Sequence, residues 1–141
     1  VGEMSANKQQ GGNMTPNTIL NILVVEDDPT VASHLTSFLT GLGWNVDFAA
    51  SGRMAVRLCK SNQYDAVLLD VVLPDLSGTA ILQHIKSCCN TPVLLMSANE
   101  NSDISTRFTD ADDIVPDPAN YRDIVSRCQR FAEASAMAIT A

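Results

Sequence analysis

Three short, almost wholly apolar runs, Ile22-Leu23-Val24-Val25, Ala66-Val67-Leu68-Leu69 and Val93-Leu94-Leu95-Met96, recur along the chain with stretches of helical periodicity between them. A strand that is apolar on both faces has to be covered on both faces, and parallel sheets achieve this by passing a helix between successive strands. This pattern narrows the chain to an α/β architecture.

The other segments agree with that reading. Strand one is expected over about Leu20 to Val25, and Asp28 followed by Pro29 starts a helix, with Asp28 as N-cap and Pro29 at the first helical position. Val31, Leu35, Phe38, Leu39 and Leu42 recur at helical spacing and stop at Gly41 and Gly43. Trp44 to Phe48 alternates as a short strand. Ser51 caps a second helix with Ala55, Leu58 and Cys59 on one face, ending near Asn62. Tyr64 to Leu69 is the third strand, and the turn Leu73 to Gly78 leads into a helix carrying Ala80, Ile81 and Ile85. Pro92 opens the fourth strand. Asn99 to Ala111 is polar, with only Ile104 and Phe108 to bury, and predicts a short or poorly held helix. Ile114 and Val115 make a brief last strand, and Tyr121, Ile124, Val125, Cys128 and Phe131 mark a final amphipathic helix. Five strands alternating with five helices give a three-layer, doubly wound α/β sandwich around a parallel sheet.

One domain of this kind accounts for the 141 residues. It is expected over 19–133, with 1–18 a disordered leader, linker or remnant and 134–141 a small-residue tail or linker. The net charge of −7 and the scattered Lys and Arg residues argue against a phosphate-tracking surface, so no direct nucleic-acid contact is expected. Cys59, Cys88, Cys89 and Cys128 all fall in stretches that read as helical, without zinc-type spacing, and read as reduced cytoplasmic thiols. For the neighbours Cys88 and Cys89, a helix end with one buried and one exposed thiol is the ordinary explanation, against redox activity. No apolar stretch approaches the ~20 residues that span a bilayer, so no membrane insertion is expected.

Right-handed crossovers place every strand C-terminus on one edge of such a sheet, where open α/β sheets bind ligands. Glu26-Asp27-Asp28 follows the first strand and Asp70 ends the third. Their carboxylates would collect on that edge and repel one another unless a divalent cation, a proton or a basic side chain offsets them. A plainer reading makes these residues helix-start acids favoured by the macrodipole, which is accepted for Asp28, and makes Asp70 a loop-capping carboxylate.

Val-Val-Glu-Asp-Asp-Pro at the first strand end, Asp-Ala-Val-Leu-Leu-Asp at the third, Leu-Pro-Asp-Leu-Ser-Gly after it and Leu-Met-Ser-Ala after the fourth come in order at the strand ends. On these motifs, Asn21 to about Phe131 resembles the receiver domain of two-component response regulators. The resemblance implies a flavodoxin-like sheet of strand order 2-1-3-4-5. It implies that Asp70 is the phosphoacceptor and is phosphorylated from a phosphohistidine on a histidine kinase or histidine phosphotransfer protein. Mg²⁺ would be held by Glu26, Asp27, Asp70 and the backbone carbonyl of Val72, with Asp27 a more direct ligand than Glu26. Ser97 would supply the hydroxyl that bonds the phosphoryl group, against a plainer role as a helix N-cap. A downstream output domain or protein would read the change. The expected setting is cytoplasmic, either alone or as a domain of a membrane-anchored hybrid kinase.

Two positions depart from the family pattern. Asp117 stands where the family has a Lys that reaches the phosphoryl group. At roughly 5 Å and an effective dielectric near 20, that reversal changes the interaction with one site charge by about 6 kcal/mol if Asp117 points inward. Ile114 replaces the usual switch aromatic. These departures support the alternative of a pseudo-receiver, a protein-interaction module indifferent to phosphate. A haloacid-dehalogenase-type phosphohydrolase wants a second Asp where Val72 stands, and a nucleotide-binding Rossmann fold wants a glycine-rich first turn; neither is present.

Overall fold

The computed structural model describes residues 18–70, 78–96 and 110–140. Within them the order of elements is β1 (Asn21–Val25), α1 (Pro29–Gly41), β2 (Asn45–Ala49), α2 (Gly52–Ser61), β3 (Ala66–Asp70), α3 (Gly78–Cys88), β4 (Val93–Met96), β5 (Asp113–Val115) and α4 (Tyr121–Thr140). All pairings are parallel and the strand order is β2-β1-β3-β4-β5, as expected. The helix expected within Asn99 to Ala111, with Ile104 and Phe108, lies almost wholly outside the described residues.

Alternation along the inner strands divides the core into two layers. Leu23, Val25, Val67, Leu69, Val93 and Leu95 face α2 and α3, where they meet Ala55, Cys59, Ile81, Leu82 and Ile85. Ile22, Val24, Ala66, Leu68, Leu94 and Met96 face α1 and α4, against Leu35, Leu39, Ile124 and Cys128. Every one of those strand residues is at most 3% exposed, which is why the runs carry no polar position. At about 25 cal/mol per Å² of apolar surface, this two-sided burial is the main force holding the sheet.

The helix boundaries follow local chemistry. Asp28 accepts from the Thr30 and Val31 amides and Pro29 fills the first turn, while Ser51 accepts from the Met54 amide to start α2. After α1, Gly43 adopts φ +91°, a conformation that suits glycine, and the chain turns into β2.

The apolar face of α1 is narrower than the sequence suggests. Ala32, Leu35 and Leu39 are buried, whereas Val31, Phe38 and Leu42 are exposed. The five positions share one helix face about 100° wide, but the buried stripe Ala32, Leu35, Leu39 is turned to one side of it, so Val31, Phe38 and Leu42 fall on the exposed flank. Phe38 instead stacks at 5.1 Å on Tyr121 at the start of α4. Phe48 is likewise exposed, because β2 is an edge strand. Cys89 lies one residue beyond α3 and is half-buried, not helical. The last helix runs past Phe131 through Ala134 to Thr140.

Candidate functional site

Register fixes the geometry of the acidic edge. Val25, the last residue of the inner strand β1, pairs with Ala49 on one side and Leu69 on the other, while Asp70 pairs with Met96. The strands therefore finish level, and the residues that follow β1 sit beside the end of β3. Glu26 extends the pairing by one step, its amide donating to the Ala49 carbonyl at 3.1 Å. One oxygen from each of Glu26, Asp27 and Asp70 lies within 4.8 Å of the other two.

The three carboxyls differ in exposure: Glu26 is 7% exposed, Asp27 is exposed and Asp70 is intermediate. Glu26 is pushed up to about 7, first by burial, then by its hydrogen bond to Asp70 and the charge of Asp70, with Asp27 adding to the effect. The Asp28 amide donates to Glu26 Oε2 at 3.3 Å and pulls the other way. A hydrogen bond between two carboxyls needs a proton, and with Glu26 pushed up to about 7 that proton sits on Glu26 at mildly acidic pH when no cation is present. The repulsion anticipated from the sequence is thus relieved by a proton at the innermost carboxyl.

This donor set suits a small hard cation. Oxygen ligands from a few carboxylates, graded from a buried inner group to an exposed outer one, leave the solvent side for water and phosphate oxygens, as Mg²⁺ prefers. Bonds of ~2.1 Å require neighbouring donors about 3 to 4 Å apart, within reach of small side-chain rotations here.

The remaining expected site residues fall in different places. Asp28 is committed as the α1 N-cap, accepting from the Thr30 amide at 2.9 Å and the Val31 amide at 3.3 Å, so it is not part of the cluster. Asp117 is exposed, and its Oδ1 accepts from the Ala119 amide at 3.0 Å, while its carbonyl accepts from Asn120. Its charge is spent on its own turn and screened by solvent, well short of the inward-pointing extreme. Val72 and Ser97 lie outside the described residues. Ile114 is half-buried and packs against the α2–α3 core layer, with its carbonyl accepting from Arg127 at 3.2 Å. One residue on this edge was not singled out from sequence: Arg53, exposed in the first turn of α2, directly after β2. The only sequence signal for it is its position two residues after the Ser51 cap.

Residues 22–129 match the family described as the response regulator receiver domain. The chain is similar to the transcriptional regulatory protein QseB of Haemophilus influenzae, 34% identical over 113 residues that cover 78% of this chain and 51% of QseB. It is also similar to the transcriptional activator protein IrlR of Burkholderia pseudomallei, 31% identical over 112 residues covering 77% of this chain and 48% of IrlR. The chain thus spans about half the length of these curated relatives. Among solved structures it resembles the receiver domain of the sensor histidine kinase PA1611 from Pseudomonas aeruginosa PAO1, determined with a magnesium ion coordinated in the active site cleft. That match has 27% identity and a TM-score of 0.75, and covers 82% of this chain and 99% of that one. No described helix is long and apolar enough to cross a membrane. These matches do not favour the phosphate-indifferent alternative. With the fold, the strand order and the acidic edge in agreement, the chain belongs to the receiver domains of two-component response regulators.

Proposed function

We propose that Asp70 is the phosphoacceptor of this receiver domain and that Glu26, Asp27 and Asp70, with the Val72 carbonyl, hold Mg²⁺. The observation that supports this most strongly is the convergence of the three carboxyls within 4.8 Å at the C-terminal edge of the sheet. When bound, Mg²⁺ supplies positive charge that offsets the phosphoryl oxygens brought against an acidic site. Asp70 ends the central part of the sheet on a rigid strand, so its carboxylate can be held in line with an incoming phosphorus atom, and positioning is most of what phosphoryl transfer asks of a protein. A carboxylate oxygen of Asp70 attacks phosphorus, the phosphorus–nitrogen bond of the phosphohistidine breaks, and the imidazole leaves with the bonding pair. Glu26 releases its proton when the cation is taken up, because the positive charge replaces what the proton had offset.

Ser97 follows β4 directly and is proposed to bond the phosphoryl oxygen. The donor is proposed to be a histidine kinase or histidine phosphotransfer protein, and the reader a downstream output domain or protein. The mark would act by shifting a two-state equilibrium in the domain. Any catalysis is confined to the phosphorylation and dephosphorylation of Asp70 itself.

Incubation with a small-molecule phosphodonor and Mg²⁺, followed by intact mass measurement, tests the assignment. A phosphoryl adduct is expected in wild type, none in Asp70→Asn and none with chelator. An adduct that survives in Asp70→Asn, or no adduct in wild type with Mg²⁺, rejects it.

A further inference from the structure

At the opposite edge of the sheet, α2 and α3 lie side by side and end near each other. Cys59 sits in the last turn of α2, Cys88 closes α3 and Cys89 follows it. All three line one cavity of about 470 Å³, shared with Tyr64, Thr91 and Ser135. The Cys88 and Cys89 sulfurs are 3.5 Å apart, and both are directed at the Ile85 carbonyl, at 3.6 and 3.3 Å. Cys59 is 4% exposed and belongs to the core layer against which Cys89 packs. Cys128 lies in the other core layer, across the sheet, and is not a member of this group.

We infer that Cys59, Cys88 and Cys89 form a site for a soft, thiolate-seeking cation of the Cu(I) type, separate from the carboxylate site. The helix ends point to a cation, and the raised thiols point away from oxidation. The cavity lies at the C-terminal ends of two helices, where the peptide dipoles favour positive charge. Burial pushes the Cys59 thiol up to about 12, with Cys89 and Cys88 adding to the effect, and the Cys88 thiol is also raised. Thiols so disfavoured as free thiolates are poor nucleophiles toward oxidants at neutral pH. A soft cation reverses that balance by supplying the charge that stabilises the thiolates, and sulfur ligands select it over Mg²⁺.

Geometry sets what binding has to change. Sulfurs sharing one cation at ~2.3 Å stand about 3.8 to 4.0 Å apart, close to the Cys88–Cys89 separation. Among the described residues, only the Glu26–Asp27–Asp70 set already has all its donor atoms within 4.8 Å. The sulfur triad is looser: Cys89 is the shared neighbour of Cys88 and Cys59, and binding has to draw the exposed Cys88 inward. On binding, each coordinating thiol loses its proton to solvent as its metal–sulfur bond forms, and no electrons are transferred.

The full chain, fully reduced and without oxygen, is titrated with Cu(I) in competition with a chromophoric Cu(I) chelator. Wild type is expected to withdraw a single equivalent, with affinity that increases with pH. The Cys88→Ala/Cys89→Ala double variant should bind more than roughly a hundredfold more weakly, since two sulfur bonds are lost. Cys128→Ala should match wild type. Cys59→Ala should also bind more weakly, read only after circular dichroism shows that it is folded; the exposed-end double variant carries the test if it is not. Equal affinity of wild type and the double variant, or an equal loss in Cys128→Ala, overturns the assignment.

Discussion

Replacing Glu26 by Gln should stabilise the metal-free domain, with a gain that sets in above about pH 4.5 and is complete above about pH 7. Glu26 titrates at about 7 in the fold against 4.5 as a free side chain. Between those values the folded state binds more protons than the unfolded state, so stability falls as pH rises. Below 4.5 both states are protonated and no penalty exists; above 7 the full penalty is present. At 1.36 kcal/mol per pH unit across that interval, the penalty is about 3 kcal/mol at most. Gln has the shape of the protonated acid and can donate to Asp70 as that acid does, so it escapes the penalty. Urea unfolding in chelator, followed by the single, buried Trp44, gives the measurement. At pH 8 the variant should be more stable by about 2 to 3 kcal/mol, and the gain should shrink toward zero by pH 4.5. Added Mg²⁺ should then stabilise wild type by mass action and the variant less. A wild-type-to-variant difference that does not change with pH would refute the proton shared between Glu26 and Asp70.

Other expectations follow from the same geometry. Wild-type Mg²⁺ affinity, measured by Trp44 fluorescence or amide shifts near Asp27 and Asp70, should weaken about tenfold per pH unit below 7 as the Glu26 proton competes; affinity flat from pH 5.5 to 8 contradicts this. Asp27→Ala removes the exposed carboxylate of the proposed site, so Mg²⁺ binding should weaken at least about tenfold, while metal-free unfolding shifts by less than ~0.5 kcal/mol. Leu39→Ala, at a fully buried position on α1, should cost about 2 to 5 kcal/mol in urea unfolding without altering the Asp70 adduct of the surviving folded protein. Asp117→Lys should speed phosphorylation by a small-molecule donor, by up to about tenfold given how exposed the position is.

Much of this was legible because two-sided burial leaves a plain mark in sequence. The runs Ile22–Val25, Ala66–Leu69 and Val93–Met96 are the inner strands, and Asp28-Pro29 and Ser51 are the starts of α1 and α2. The meeting of Glu26, Asp27 and Asp70 was legible too, since strand ends in a parallel sheet share one edge. Periodicity failed where it could not fix which way the helix turns: five apolar positions on α1 looked equivalent, yet Ala32 is buried while Val31, Phe38 and Leu42 are exposed. The proton on Glu26 was not visible, because it depends on how deeply one carboxyl of three is buried. Nor was the thiol group, since Cys59 is about thirty residues from Cys88 and only the packing of α2 on α3 brings them to one cavity.

The charge reversal at Asp117 gains its meaning from where other cations are spent. Lys86 Nζ is 2.7 Å from Asp112 Oδ2, and the same oxygen accepts from the Val93 amide at 2.8 Å, tying α3 to the start of β4 and β5. Arg127 Nη1 reaches both oxygens of Asp113 at 2.8 Å, and its Nε reaches Asp123 at 3.0 Å, tying α4 to the same end of β5. Leu94 pairs with Asp113, so these anchors lie at the strand starts, at the edge away from the carboxylates. The three ion pairs are partly exposed and worth up to about 1 kcal/mol each, enough to help fix β5, and they lie away from the carboxylate edge. Neither cation can stand in for the family's Lys. On the proposed assignment, neutralisation at Asp70 falls to the proton on Glu26 below about pH 7 and to a divalent cation when one is bound. The proposed site would then tie phosphorylation to metal supply and to pH more tightly than one with a Lys at the position of Asp117.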